Sequence, residues 1–308
     1  MEYRFKSILA RYKERLLKAR HVIGVGFGKK EKDGKKTEQD SIIIMVDKKV
    51  EAGQLSSQDL IPESIEGIKT DVVEVGELKL LYNRVKRFRP APPGVSLGHY
   101  QITAGTFGAV VKDVETGETL LLSNNHVLAN LTNGFDGRAA PGDPILHPGA
   151  YDHGTQPDDI IGYLERFVPL NSVVEKNLEG FNHNLVDCAV ARPVEPDCID
   201  HIILDVGEVK GVKEAELNMK VVKSGRTTGV TSGKIKALNS MIKVKMGDNR
   251  LAFFDDQIIS DSISESGDSG SLALDRDNNA IGLLFAGSDR ASVYNRITNV
   301  LESLRIEF

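Results

Sequence analysis

Apolar side chains recur at helical spacing in the first 20 residues. Phe5, Ile8, Leu9, Tyr12, Leu16 and Leu17 form one stripe, and Arg4, Lys6, Arg11, Lys13, Arg15, Lys18 and Arg20 fill the remaining surface, which predicts a basic amphipathic helix. Such a helix can lie on a membrane or grip an acidic partner. Here Glu2 and Glu14 dilute the charge and the stripe is narrow, so docking on its own domain is the simpler use. From His21 onward the period changes. Positions 22–28, 41–47 and 68–75 read as strands, the second carrying an unbroken Ile42-Ile43-Ile44-Met45-Val46 run, while 29–40 reads as a charged turn and 56–60 as a short helical turn before Pro62. This predicts a small α+β domain behind the helix. Its Gly24, Gly26 and Gly28 alternate instead of following GxGxxG, and no Lys-Ser/Thr pair follows, so a nucleotide site is not expected. Pro90-Ala91-Pro92-Pro93-Gly94 reads as a stiff linker, dividing the chain into an accessory domain at 1–89, a linker at 90–94 and a second domain at 95–308.

The second domain has strand signals. Thr119-Leu120-Leu121-Leu122-Ser123 follows a turn at Glu115-Thr116-Gly117-Glu118 and runs into Asn124-Asn125-His126, and Asp187-Cys188-Ala189-Val190-Ala191 is too apolar for an exposed loop. Twenty-nine glycines and many Val, Ile, Leu and Thr runs suit short strands joined by turns.

Candidate chemistry centres on Gly267-Asp268-Ser269-Gly270-Ser271. A serine hydroxyl needs a neighbouring base and fixed donors for the oxyanion, and glycine lets the backbone N–H of position 267 turn toward a substrate carbonyl beside that of Ser269. Gly, Asp and Ser are also common turn formers, so partners must carry the case. Of the seven histidines, His126 stands at the rim of a buried strand, whereas His21, His99, His147, His153, His183 and His201 lack a comparable frame and read as surface or structural. Asp187 opens an apolar run and fits a buried carboxylate that orients the imidazole, though an isolated aspartate there would also serve as a strand-start cap. The chain order His126, Asp187, Ser269 is that of chymotrypsin-type proteases and not of subtilisins or α/β-hydrolases.

At these residues the chain from about position 95 to 308 resembles a chymotrypsin-like (trypsin-fold) serine protease of bacterial type. Ser224-Gly225-Arg226-Thr227-Thr228-Gly229 resembles the GRTTG segment of streptogrisins, and Ala280-Ile281-Gly282-Leu283-Leu284-Phe285-Ala286-Gly287-Ser288 resembles the strand lining the substrate cleft. With Gly24 to Gly28 and positions 70–76, the whole chain further resembles trypsin-like proteins with a preceding small domain, and more distantly the plant narrow-leaf protease group. The resemblance implies a mainly β fold of two six-stranded antiparallel barrels behind the small α+β domain, with catalytic His126, Asp187 and Ser269 and an oxyanion hole from Gly267 and Ser269. It also implies an Arg226–Asp268 ion pair that shapes the oxyanion loop without proteolytic activation. By motif alignment Ile263 floors the primary pocket where trypsins carry a carboxylate, with Ser264, Phe285, Ala286 and Gly287 in the walls, so cleavage after an apolar residue is expected. The departures are Ser271, where many animal enzymes carry a second glycine, and an SNNHVLA setting for His126; bacterial members tolerate both.

Composition narrows the alternatives. At 308 residues and 40% hydrophobic, the chain can hold two barrels plus a smaller domain. A net charge of −5 gives no reason to expect nucleic acid. No apolar stretch is long enough to span a bilayer, charges interrupt the first 20 residues where a secretion signal would be apolar, and Cys188 and Cys198 are the only cysteines, which together point to a cytoplasmic protein with reduced thiols. Asp143, His147, Asp152, His153, Asp158 and Asp159 crowd one loop but follow no metal-ligand spacing, so neither metal nor other cofactor is expected. The expected partner is a protein or peptide substrate, with a homo-oligomer left open. Against the endopeptidase stands one rival class, a catalytically silent trypsin-fold scaffold acting through its N-terminal domain or an oligomer; the intact triad favours the enzyme.

Overall fold

The computed structural model describes residues 2–32, 35–76, 78, 83–102, 104–174, 182–247 and 249–308. The chain is mainly β and divides into two compact units, Met1–Tyr82 and Asn83–Phe308. Among the described residues no helix is long and apolar enough to cross a membrane.

In the first unit α1 (Glu2–Leu17) precedes β1 (Val22–Lys32), β2 (Lys35–Val46), β3 (Ser64–Ile65) and β4 (Ile68–Glu74), which form one sheet in the order β1-β2-β4-β3. Phe5, Ile8 and Leu16 of α1 pack with Val22, Ile42, Ile44, Val46, Ile65 and Ile68. The helix therefore docks on its own sheet, and of its basic face Arg11 reaches Glu66 at 2.8 Å. Residues 29–40 are not a charged turn: β1 runs to Lys32 and β2 starts at Lys35. Charge does not disqualify a strand whose side chains alternate into solvent, and Lys29 pairs across the hairpin with Asp40 at 2.9 Å. The expected helical turn at 56–60 is a simple turn, closed by Asp59 N donating to Ser56 O, and the short 3-10 helix lies earlier, at Ala52–Gln54.

In the second unit the strands are β5 (Ser96–His99), β6 (Gly105–Thr106), β7 (Ala109–Asp113), β8 (Thr119–Ser123), β9 (Pro144–Leu146), β10 (Ile160–Phe167), β11 (Val173–Val174), β12 (His183–Asn184) and β13 (Ala189–Pro193). They continue as β14 (Gly211–Val212), β15 (Lys220–Gly225), β16 (Gly229–Lys245), β17 (Arg250–Ser260), β18 (Leu272–Leu274), β19 (Asn279–Ser288), β20 (Ala291–Arg296) and β21 (Ile306–Glu307). Two short helices matter, α2 (Asn125–Leu128) after β8 and α3 (Ile297–Leu304) after β20. One sheet runs β21-β7-β8-β13-β10-β9-β5-β6, every neighbouring pair antiparallel. Gly94 N donates to Phe107 O and Phe107 N to Val95 O, tying the β5 end of this sheet to the β7 end. In the other, β17-β16-β15-β18-β19-β20 closes on itself through the β17–β20 pair, an antiparallel ring of six strands.

The unbroken Leu120-Leu121-Leu122 run reflects burial on both faces. Leu121, Ala189 and Ala191 enter the first barrel with Leu97, Phe107, Ile145, Ile161 and Leu164. Leu120, Leu122, Cys188 and Val190 pack the other way, against Leu272, Leu274 and Leu283 of the second barrel and Ile297, Val300 and Leu304 of α3. Each fully buried Leu contributes about 1.5–3 kcal/mol, so β8 and β13 are among the most firmly seated strands of the unit. Cys188 and Cys198 are unbridged, and burial pushes the Cys188 thiol well up.

The Pro-rich segment is not a linker. Positions 91–94 are buried inside the second unit, Ala91 N donates to Cys198 O at 2.8 Å, and Leu204 N donates to Pro93 O at 2.9 Å. Prolines suit this strap because they have no N–H to leave unpaired in the interior. Arg84 belongs to this unit too, 7% exposed, its guanidinium donating to Gly94 O, Ser224 Oγ and Asp205 Oδ2. The domain boundary therefore falls at Tyr82 and Asn83, ahead of the expected one.

Candidate active site

His126 sits in the single turn of α2, directly after β8. The turn forms because Asn124 O accepts from Leu128 N at 2.9 Å, while both flanking asparagines are pinned: Asn124 Nδ2 donates to Asp187 O at 2.7 Å, and Asn125 Nδ2 donates to Val168 O at 2.8 Å. Asp187, 2% exposed, faces His126 just before β13. Its Oδ2 lies 2.6 Å from His126 Nδ1 and its Oδ1 accepts His126 N at 3.2 Å, so both carboxylate oxygens hold one residue. That geometry fixes the tautomer with hydrogen on Nδ1 and leaves Nε2 as an acceptor. Asp187 is itself set from the second barrel: Asn295 Oδ1 accepts Asp187 N at 2.9 Å, and Asn295 Nδ2 donates to Gln257 Oε1 at 2.8 Å.

Ser269 lies in the loop between β17 and β18. Gly267 takes a φ of +97°, and a Cβ there would run into Thr227 Oγ1 and Arg226 Nη1, so glycine is required twice over. Three carbonyls of the loop are held by hydrogen bonds: Thr227 Oγ1 donates to Ser266 O, Thr106 Oγ1 to Gly267 O, and Thr106 N to Ser269 O. Among the described residues no acceptor takes the N–H of Gly267 or of Ser269. Nor does a hydrogen bond join Ser269 Oγ to His126 among them, although the cavities they line adjoin and share Val244, Lys245 and Phe285.

No family model matches the chain, and no curated protein matches it. Among solved structures, the chain is similar to Nocardiopsis protease at 18% identity and a TM-score of 0.50, covering 70% of this chain and 98% of that one. It is also similar to Cellulomonas bogoriensis chymotrypsin, at 18% identity and a TM-score of 0.47, covering 71% of this chain and 97% of that one. The second unit has the chymotrypsin-like serine protease fold.

One pairing differs from what that fold's bacterial members imply. Arg226 does not pair with Asp268; its guanidinium binds Asp152, Nε to Oδ2 at 2.6 Å and Nη2 to Oδ1, and stacks over Tyr151 at 5.3 Å. The cation on Asp268 is Lys223 of β15, at 3.2 Å with both side chains fully buried. Asp268 accepts from Thr227 N, Thr228 N, Thr228 Oγ1 and Glu265 N as well as from the Lys223 ammonium, while the Arg226 guanidinium is taken up by Asp152. Burial pushes the Asp268 carboxyl up, but Lys223 and these donors outweigh it and hold it below the usual carboxylate range. Burial likewise draws Lys223 down despite Asp268.

The expected pocket residues Ile263, Ser264, Phe285, Ala286 and Gly287 line one cavity with Ser269. The crowded loop spends its groups internally: Asp143 meets His99 Nε2 at 3.1 Å, Asp152 holds Arg226, and His147 receives Phe88 N and donates to Ser96 O. Burial lowers His147 to about 4, so it is a neutral structural histidine at ordinary pH. Sequence reasoning missed Lys223, Thr106 and the Asn295–Gln257 support of Asp187. For Lys223 a signal existed, a lysine inside the strand-like Val221-Val222-Lys223-Ser224 run, where a buried cation demands an anion.

Proposed function

We propose that residues 83–308 form a serine endopeptidase. The observation that carries this reading is the His126–Asp187 bond at 2.6 Å beside a cavity that holds Ser269. His126 Nε2 takes the Ser269 Oγ proton as that oxygen attacks the scissile carbonyl, and Asp187 stabilises the imidazolium. The N–H groups of Gly267 and Ser269 receive the developing oxyanion. The imidazolium then gives its proton to the leaving amine, and water, activated in the same way, hydrolyses the acyl-enzyme. Ile263, Phe285 and Ala286 in the lining of the Ser269 cavity support cleavage after an apolar residue. A fluorophosphonate probe tests the reading: it labels the wild type, and the label is lost in Ser269→Ala. A rival reading, a silent scaffold, draws on the absent Ser269–His126 hydrogen bond among the described residues; apo sites often close that bond only on substrate, and a protein that never labels, with or without peptide, would settle for the scaffold.

A further inference from the structure

The end of the β16–β17 hairpin hangs over both cavities. Val244 and Met246 pack with Phe254, Phe285 and Leu131, and Lys245 stands exposed between them. Lys245 lines the Ser269 cavity and the His126 cleft alike, and among the described residues its ammonium has no counter-ion. The two spaces differ in charge. Across the Ser269 cavity stand Glu265 and Asp289, so that space carries both signs. In the His126 cleft, of about 740 Å³, the other ionisable groups among the described residues are Tyr151 and the hydrogen-bonded His126 and Asp187, the carboxylate only 2% exposed, so Lys245 is the charge this cleft presents to solvent. Its remaining walls include Ile102, Leu131 and Tyr151.

We infer that Lys245 is a specificity-determining residue, and that the substrate side chain seated against His126 has an apolar stem ending in a carboxylate, as in glutamate. The inference rests on the endopeptidase reading and names its substrate class. Methylenes of such a side chain cover Ile102 and Leu131 while the carboxylate meets the ammonium at the rim; lysine in the same seat brings like charges together.

The test uses the full chain and peptides with one apolar cleavage residue and Glu, Gln or Lys at each of the four positions before it. Wild type is expected to prefer Glu over Gln by about threefold to fivefold at one position and Glu over Lys by about tenfold, as a solvent-facing pair allows. Both ratios shrink toward one in 0.5 M salt, through screening. Lys245→Ala flattens the series, and Lys245→Glu inverts it to favour Lys. Cleavage of the series with Glu/Lys ratios that Lys245→Glu leaves unchanged overturns the inference and spares the endopeptidase. If no peptide is cleaved and the fluorophosphonate does not label, the enzyme reading falls and takes the inference with it.

Discussion

The two barrels hold their shares of the site by different means. The first presents His126 and Asp187 at the ends of β8 and β13, strands buried on both faces, so hydrophobic packing seats the backbone that carries the pair and the asparagines complete its aim. The second presents Ser269 on a loop whose conformation depends on polar contacts: Lys223 on Asp268, Thr106 on Gly267 O, Thr227 on Ser266 O. Packing is redundant, because many contacts share the burden and one methylene is a small part of them. A buried polar cluster has no such reserve, since each missing partner leaves a desolvated group behind. The loop should therefore be the fragile half, and graded substitutions can rank the two.

The largest effect falls on chemistry in both halves. Ser269→Ala is expected to lower kcat by about 10⁵–10⁶-fold on a peptide with an apolar cleavage residue, with thermal stability nearly unchanged. Asp187→Asn, which keeps the shape but frees the imidazole to adopt the wrong tautomer, should cost about 10⁴-fold. Equal losses in the two would mean that Asp187 does more than orient His126.

Next comes the buried ion pair. Lys223→Ala strands the Asp268 carboxylate without a cation, which costs about 3–5 kcal/mol in such sites, and it should depress both melting temperature and kcat; Lys223→Arg should recover part of each. The pH dependence has a definite sign. Because the folded pKa of Asp268 lies below its unfolded value, the carboxylate's contribution is in full force above the unfolded value near 3.9 and is lost as pH falls through the folded one. Urea midpoints of wild type and Asp268→Asn should accordingly differ by a constant amount down to about pH 4 and converge as pH falls below it. Midpoints that stay equally far apart below it would show that the loop does not depend on this charge.

Arg226 provides the contrast within the second half. It ties the loop's neighbourhood to Asp152 on the first barrel at 11% and 6% side-chain exposure, and Asp152 keeps Ser96 Oγ at 2.6 Å when the guanidinium goes. Arg226→Ala should cost about 2–3 kcal/mol, less than Lys223→Ala, with activity reduced and not abolished. The reverse order would restore Arg226 as the residue that sets the oxyanion loop.

What the sequence disclosed follows the same division. His126, Asp187 and the β-rich architecture were legible because Leu120-Leu121-Leu122 and Ala189-Val190-Ala191 are local apolar signals, and GDSGS is a local pattern. The ion pairs were not, because a lysine 45 positions before its aspartate gains meaning only when β15 runs beneath the loop. The Pro-rich strap misled for a related reason: stiffness without N–H groups suits a spacer and a buried strap equally, and only tertiary contacts such as Ala91 to Cys198 distinguish them.

Thr106 is where the halves meet, and it offers the finest test. A first-barrel residue on β6, fully buried, it donates its hydroxyl to Gly267 O at 2.9 Å and accepts Arg226 N at 3.0 Å. Thr106→Val keeps volume and β-branching but leaves both groups unpaired, at a cost of about 1–2 kcal/mol. Once Gly267 O is released, the peptide plane between Gly267 and Asp268 is less constrained, and the loop that aims the Gly267 N–H loosens with it. The loss should then appear in kcat, about tenfold, with KM little moved, and Thr106→Ser should restore most of it. Were KM to carry the loss instead, Thr106 would be shaping the substrate pocket and not the oxyanion donor, and the loop's polar frame would have to be sought in Lys223 and Thr227 alone.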